Sequence, residues 1–431
     1  MSAPERTRVA VVGGGPAGMV LGLLLARGGI DVVVLEKHAD FLRDFRGDTV
    51  HASTLTLLDE LGLATAFGRL PARLLDRAEI RLDAGTARLT NLGASIPGRH
   101  RGIALVPQWD FLEMLARAAE EEPCFTLVRS AEAVGLAHDG ARVAGVRWRE
   151  YVPGAGASPG GAQREVRTLA ADLVVACDGR GSAVRDAAGL VARRFGGAMD
   201  VWWFRLPRRE GDPAGGIGRL SSGSFLIRID RGDYWQCGYV IPKGADAELR
   251  AEGIEAFREH VARLAPEIAD RLSEGPRSMD DVKLLDVRIE RLPRWHLDGL
   301  LCLGDAAHPM SPVGGVGINL AIQDAVAAAR IVGGRMRRQA GPVPESVLAA
   351  VQRRRWWPTA LLQGFQRMAY ALVVRRALGR KDLPRREPRG MPLPLRLLTR
   401  FPALQRFPAY FVAIGPRPEH APEWARRPEP L

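Results

Sequence analysis

Val9–Gly18 reads VAVVGGGPAG; an apolar run to Arg27, then Ile30–Leu35 (IDVVVL) and Glu36 follow. Four successive apolar residues, Val9 to Val12, match a strand buried on both faces of a parallel sheet. Gly13, Gly15 and Gly18 then give the spacing G-x-G-x-x-G. The first glycine permits a tight turn, the second lets backbone approach a pyrophosphate, and the third lets the next helix pack closely on the strand. The helix expected at Ala17–Arg27 aims free N–H groups and its positive dipole end at the phosphates. Ile30–Leu35 is the expected second strand, and Glu36 stands where a carboxylate takes a ribose diol. In a chain with 48 glycines the spacing alone arises by chance. Strand, loop, helix, strand and acid in this order within about 30 residues is the stronger signal. The expectation is a dinucleotide site, and the alternative is a purely structural βαβ unit.

Two remote segments extend this reading: Cys177–Arg185 (CDGRGSAVR) and Leu303–Asn319 (LGDAAHPMSPVGGVGIN). Leu300–Leu303 is another candidate buried strand, and Asp305 behind it can accept from a sugar hydroxyl. A Pro- and Gly-rich loop, Pro309–Gly317, leads to a helix expected over Ile318–Val332, with Asn319 and Asp324 in or near its first turns. Gly314, Gly315 and Gly317 would deliver a helix start whose bare N–H groups suit developing negative charge. A reduced flavin carries that charge near N1 and O2 of its ring. The dinucleotide expected is therefore FAD.

With these segments the sequence resembles the FAD-dependent aromatic hydroxylases, the single-component (class A) flavoprotein monooxygenases with the p-hydroxybenzoate hydroxylase fold. The likeness covers about residues 7 to 335. Gly13, Gly15, Ala17, Gly18, Glu36 and Lys37 fall in the family's AMP-binding strand–turn–helix. Cys177-Asp178-Gly179 with Ser182, Val184 and Arg185 matches its DG motif, associated with FAD and NAD(P)H. Gly304-Asp305 matches the GD motif, whose Asp holds the ribityl or ribose region. Pro312, Gly315, Gly317, Ile318 and Asn319 match the loop under the isoalloxazine. Arg46 resembles the family arginine beside the flavin, and Gln108 its cofactor-contacting residue at the head of a helix. The W-x-W-x-I-P run of flavin halogenases is not in the sequence; Trp202-Trp203 and Trp356-Trp357 are adjacent pairs.

The resemblance implies an α/β protein. A discontinuous Rossmann-like FAD domain is expected at 1–75, 100–190 and 288–340, a mixed β-sheet substrate domain at 76–99 and 191–287, and a basic helical region at 341–431. It implies a monooxygenase in which NADH or NADPH, bound transiently, reduces FAD, and O2 gives a C4a-hydroperoxide that hydroxylates a phenolic or polycyclic aromatic molecule. Arg46, Pro312 and Tyr239 are the candidate catalytic residues, with Tyr234 and His51 as further candidate bases. A reductase on the same fold, a nicotinamide dehydrogenase and a non-catalytic FAD protein are the alternatives; oxygen consumption and bound flavin separate them.

Composition sets the remaining bounds. A chain of 431 residues with 46% hydrophobic residues is long and apolar enough for a large core. Met19–Ala26 is too short to span a bilayer, and no signal-peptide core precedes it, so a cytoplasmic location is expected. Cys124, Cys177, Cys237 and Cys302 form no CxxC pair, and His51 and His308 lack partners at metal spacing; no metal is expected. Strands are expected at Val201–Leu206, Ser224–Ile229 and Tyr234–Ile241, with Trp202, Phe204, Trp235 and Tyr239 either facing a cavity or forming core. Tyr151–Gln163 reads as a flexible loop. Dense prolines past residue 340 predict short or kinked helices. From Arg353 onward there are 17 Lys or Arg against 5 Asp or Glu, an excess equal to the whole net charge of +12. Three readings are open for that tail: helices packed on the body, a peripheral contact of 353–431 with the inner face of a membrane, or, least favoured, nucleic-acid binding. No nucleic-acid motif accompanies the charge, and no nucleic-acid partner is expected.

Overall fold

The computed structural model describes residues 4–42, 49–75, 77–82, 85–91, 96–151, 165–196, 199–213, 215–221, 224–377, 396–397 and 400–427. Arg46 and most of the expected loop 151–163 lie outside them.

Arg6–Val12 sits at the centre of a sheet because its second half, Val9–Val12, has no polar face to show. Val9, Ala10 and Val11 are fully buried. The strand pairs in parallel with Val32–Leu35 on one side and Arg167–Ala176 on the other. Phe125–Val128 and Leu300–Cys302 extend the parallel set outward. One face carries Val9, Val11, Val32 and Val34 under the helices Pro16–Arg27, Gln108–Glu120 and Gly317–Ala328. The other carries Ala10, Val12, Val33 and Leu35, covered by residues of the antiparallel strands Ala131–Asp139 and Arg142–Glu150. The second strand is shorter than expected. Gly29, at φ +69°, ends the first helix, and the Ile30 N–H still donates to the Leu25 carbonyl, so extended pairing begins at Val32.

A second, seven-stranded sheet runs in the order Lys283–Leu285, Met199–Pro207, Tyr234–Pro242, Ser224–Asp230, Gly216–Ser221, Arg77–Leu82, Gly85–Asn91. Its mixed character arises where Gly216–Ser221 pairs in parallel with Arg77–Leu82. Alternation divides its residues sharply. Trp202, Phe204, Leu206, Trp235, Cys237 and Tyr239 form one core with Phe257 and Val261 of the helix Gly253–Leu264. Met199, Val201, Trp203, Phe225 and Val240 lie on the opposite face, in one cluster with Val313.

Beyond residue 340, where short or kinked helices are expected, one helix is long. Glu345–Ala377 is a helix of 33 residues with Pro358 inside it. An internal proline costs about 3 kcal/mol, but contacts on both sides of it hold this helix in place. Arg354 and Arg355 upstream are pinned by Glu419, and Gln363 and Gln366 downstream donate to the backbone of Glu290 and Ser311. Pro402–Ala413 forms a further helix, whose Phe411 packs with Phe365 at 5.3 Å between ring centres. One helical run, Val313–Met336, is long and apolar enough to cross a membrane, but 67% of its apolar window is buried inside the protein.

Candidate FAD and substrate site

Strand register assembles the site. Leu35, Val12, Ala176 and Cys302 lie side by side across four parallel strands. The residues that follow them, Glu36, Gly13, Cys177-Asp178 and Leu303-Gly304-Asp305, therefore emerge together along the carboxyl edge, where open α/β sheets bind ligands. Neighbouring strands stand about 4.8 Å apart, so the edge from Glu36 to Asp305 spans roughly 15 Å. Segments separated by more than 100 residues become one cradle.

The glycines show what the cradle excludes. Gly13 has φ +103°, and a Cβ there would lie 2.4 Å from the Cys177 carbonyl oxygen. A Cβ on Gly18 would lie 2.0 Å from the Gly13 carbonyl oxygen. A Cβ on Gly15 would meet nothing within 4 Å. The helix behind it begins with Pro16 and has no side-chain cap. Its leading N–H groups thus face an open space that admits backbone-close contact, which is what a pyrophosphate needs. Glu36 is 5% exposed, and its carboxylate accepts from the N–H groups of Gly14 at 2.8 Å and His38 at 2.9 Å. It fixes the turn, and its further acceptor positions suit a ribose. Lys37 is directed elsewhere: its ammonium donates to Glu132 at 2.7 Å and lies 4.6 Å from the Tyr151 ring centre.

The DG and GD loops are joined by arginines. The Arg180 guanidinium donates to Asp305 Oδ2 at 2.9 Å and to the Asp286 carbonyl at 3.1 Å. Arg185 is buried and reaches the carbonyls of Arg180 and Ala306. Burial pushes the Asp178 carboxyl above the usual range, against hydrogen bonds from Ser182 and the Val184 N–H. Its Oδ1 is buried with no partner, a polar atom beside the Gly13 turn that a bound ligand can satisfy. Arg180 was not singled out from the sequence. Its place inside D-G-R-G, two residues before the N-cap Ser182 of a Ser–Ala–Val–Arg turn, is the signal the sequence carries.

The loop Pro312–Val316, where a flavin ring is expected, is stapled to the strand Thr49–Val50. Gly314 and Gly315 adopt φ +82° and +62°. Thr49 Oγ1 donates to the Gly315 carbonyl at 2.8 Å. Asn319 Oδ1 accepts from His51 N at 2.8 Å and Thr54 Oγ1 at 2.7 Å, while its Nδ2 donates to the Thr49 carbonyl at 3.0 Å. Asn319 thus holds the loop by its side chain. The helix from Gly317 has no side-chain cap, which leaves N–H groups of Gly317, Ile318 and Asn319 at a bare helix start. The Pro312 carbonyl accepts from Gly315 N at 2.9 Å, closing the turn before them. Gln108 opens the helix Gln108–Glu120 three residues past Leu105, which pairs with Thr49. Behind the loop Asp324 is fully buried. Its carboxylate accepts from His308 Nε2 at 2.5 Å and Arg355 Nε at 3.0 Å. Burial would raise the Asp324 pKa, but His308 and Arg355 together outweigh it and hold the carboxyl below the usual range.

Each candidate base takes a definite place. Tyr239 is 9% exposed in the aromatic core, 6.2 Å from Phe257, on the sheet face opposite Val313. The expectation of a catalytic Tyr239 assigned it to the wrong side of a strand whose residues alternate. Tyr234 shares the face of Val240 but lies six residues along, on the order of 20 Å away. Its ring stacks under Arg205 at 4.6 Å. His51 is fully buried, its Nδ1 bonded to the Val412 carbonyl at 2.8 Å. Burial pulls its pKa down to about 4, so near neutrality the ring is uncharged and its Nδ1–H donates to that carbonyl. The residues that do turn toward the ring loop are Val201, Trp203, Phe225 and Val240. Trp203 and Phe225 were missed; a one-residue shift in the parity assigned to the strands separates them from the four aromatics first considered.

Comparison with known proteins agrees with this geometry. The sequence family described as FAD binding domain matches residues 6–363. The 6-methylpretetramide 4-monooxygenase of Streptomyces rimosus is 34% identical over 350 residues, covering 81% of this chain and 80% of its own. The anhydrotetracycline hydroxylase OxyS from the same organism superposes with a TM-score of 0.72 at 24% identity, over 95% of this chain and 76% of that one. CabE, an aromatic hydroxylase from angucycline biosynthesis, superposes with a TM-score of 0.69 at 22% identity, over 94% and 76%. A matched cofactor family, a cradle that fits FAD and a relative of this identity lead to one conclusion: the chain belongs to the FAD-binding monooxygenase family and has FAD as its cofactor.

Proposed function

We propose that this enzyme hydroxylates a flat, phenolic or polycyclic aromatic molecule, with NADH or NADPH as reductant and O2 as oxygen donor. The observation that carries the reading is the apolar sheet face of Val201, Trp203, Phe225 and Val240, clustered with Val313 of the ring-binding loop. An aromatic substrate lying between that face and the loop is held in plane, beside the cofactor ring and away from water. FAD, when bound, supplies the redox chemistry that makes one atom of O2 transferable.

The chain supplies the rest. The bare N–H groups at Gly317 and Ile318 favour negative charge on a ring laid over them. Asn319 and Thr49 keep that loop in register with its wall. Asp324, with His308 and Arg355, fixes the helix from below. Tyr239 lies on the wrong face, Tyr234 too far along its strand and His51 is bonded to Val412, so this reading assigns no base for a phenolic proton; a carbonyl of the 312–315 turn serves only as a hydrogen-bond acceptor for the phenolic O–H.

The test uses purified, FAD-loaded enzyme with a panel of polycyclic phenols, NADPH or NADH, and isotopically labelled O2. The expected product carries one labelled oxygen atom, with nicotinamide oxidation accelerated by the true substrate. Reduction of a substrate double bond without oxygen uptake would overturn the reading in favour of a reductase. A Trp203→Ala variant is expected to raise KM for the substrate while flavin content stays unchanged.

A further inference from the structure

The chain contains one dinucleotide fingerprint, and the FAD cradle uses it. If a nicotinamide nucleotide is the reductant, as the proposed function holds, it must dock elsewhere. The surface beside Pro309 has the chemistry to receive it.

Three guanidinium groups converge on one ring. Those of Arg193, Arg291 and Arg367 lie 5.6, 4.9 and 5.6 Å from the centre of Phe195. Backbone pairing of Arg193 with Arg291 and the long helix bearing Arg367 bring them together from three distant segments. Among the described residues none of the three has a carboxylate partner. The nearest acid, Glu290, is committed to Arg194 at 3.2 Å. Arg291 donates only to the neutral Gln363, at 3.1 Å. Burial, and then the charges of Arg193 and Arg367, pull the Arg291 pKa below its ordinary value. Uncompensated like charges held this closely are destabilising until an anion arrives.

The cluster opens onto a groove. Arg291 also lies over the ring of Trp356, at 4.6 Å. Trp356, with Trp357, Arg353, Gln352, Arg294 and His296, lines a surface depression of about 710 Å³. Both tryptophans are 40% exposed. Flat apolar faces beside unpaired guanidinium groups match a ligand that carries both heteroaromatic bases and phosphates. The same Gln363 that accepts from Arg291 donates to the carbonyls of Glu290 and Pro309. Pro309 lies four residues past Asp305, so the cluster adjoins the loop that holds the flavin site.

We propose that the Arg193–Arg291–Arg367 cluster and the Trp356 groove form the docking site for the phosphates and a base of the reduced nicotinamide dinucleotide. Three cationic groups favour NADPH, with its additional phosphate, over NADH.

The test measures equilibrium binding to FAD-loaded protein by tryptophan fluorescence, with NADPH, NADH and inorganic pyrophosphate as separate probes. The R193E/R367E variant changes two exposed side chains; flavin content and Tm serve as the check that it is folded. NADPH is expected to bind wild type more tightly than NADH, more weakly as salt is raised, and in competition with pyrophosphate. The variant is expected to weaken NADPH by roughly tenfold or more, raising its KM with kcat nearly unchanged. Trp356→Leu should weaken it less. Unchanged NADPH affinity in a folded R193E/R367E variant overturns the proposal. So does a site that binds pyrophosphate but does not compete with NADPH, since that is a simple anion site. If neither nucleotide reduces wild-type flavin, the proposed function itself fails; if reduction is normal in both proteins, only the docking site does.

Discussion

The turn at Gly13–Gly18 and the anchor at Glu419 are held by opposite means. The turn is built from absences: no Cβ at Gly13 or Gly18, and open space around Gly15. Its parts are consecutive in the chain. The anchor is built from charge drawn out of water. Glu419 is 2% exposed and its carboxylate meets Arg330, Arg354 and Arg355. Those partners lie 64 to 89 residues away. Local geometry can be written as a short motif, whereas a buried ion network depends on the whole fold. The first should fail selectively, by losing ligand, and the second globally, by losing structure.

The largest effect expected is therefore at the anchor. Glu419→Ala takes the buried carboxylate away from Arg330 and Arg354 and leaves Arg355 with Asp324 alone, a loss of about 3–5 kcal/mol. Chemical denaturation of the FAD-free protein reads it directly. If the variant is as stable as wild type but loses flavin, the two regions are not distinguished in the way proposed here.

A pH experiment sharpens the same contrast at a third place, where His51 meets Val412. The folded His51 stays neutral down to about pH 4, because burial disfavours its cation. Unfolded histidine takes up a proton near 6.5, so between these values the unfolded chain binds more protons. Stability must then fall as pH is lowered from 6.5 to 4, by up to about 3 kcal/mol. Asp324, whose folded pKa is lowered, adds its own loss only below the ordinary carboxylate range. His51→Gln should flatten the slope between pH 6.5 and 4 in a Tm series and leave the more acid limb in place. An unaltered slope removes His51 from the account.

Gly18→Ala comes next. The added methyl meets the Gly13 carbonyl oxygen, a backbone atom that cannot swing aside. Overpacking of this kind costs roughly 1–3 kcal/mol, and the turn that relieves it no longer fits a pyrophosphate. The ratio of flavin absorbance to protein should collapse while cooperative unfolding persists. Retention of full flavin content would show that the turn tolerates what the geometry forbids.

How far the sequence could be read follows the same division. Strand, turn, helix and acid at 6–36 were legible because each signal acts within a few residues. The shared edge of Glu36, Asp178 and Asp305 was legible because apolar runs identify parallel strands. The roof over the ring was only half legible. Trp202 and Trp203 are equally aromatic, and pattern alone does not say which face of a strand meets a helix and which meets a loop. The packing of Gly253–Leu264 decided it, placing Trp202 against Phe257 at 5.8 Å. The C-terminal region was least legible. Seventeen basic residues left three readings open, packing on the body among them, and the pattern did not decide; Arg354 and Arg355 are consumed by Glu419, and Trp424 lies against Gly28 and Gly333. Nothing in the local pattern marks Glu419 as their partner.

The smallest stability effect, and the finest test of the comparison, concerns Arg180 and Asp305. Their side chains remain 26% and 32% exposed. A pair so placed contributes about 0.2–1 kcal/mol, and Arg180→Gln should barely move Tm. Its influence on the flavin is separate from that. Arg180 occupies Oδ2 of Asp305 and fixes the carboxylate's orientation, leaving Oδ1 for a sugar hydroxyl. Arg180→Gln is therefore expected to weaken FAD binding, and Asp305→Ala to weaken it more, in a fluorescence titration of the FAD-free protein. Should Arg180→Gln instead tighten FAD, the guanidinium would be a competitor for Asp305 and not its positioner. The cradle would then rest on a charge pair that FAD must open, whereas the pairs at Glu419 stay closed.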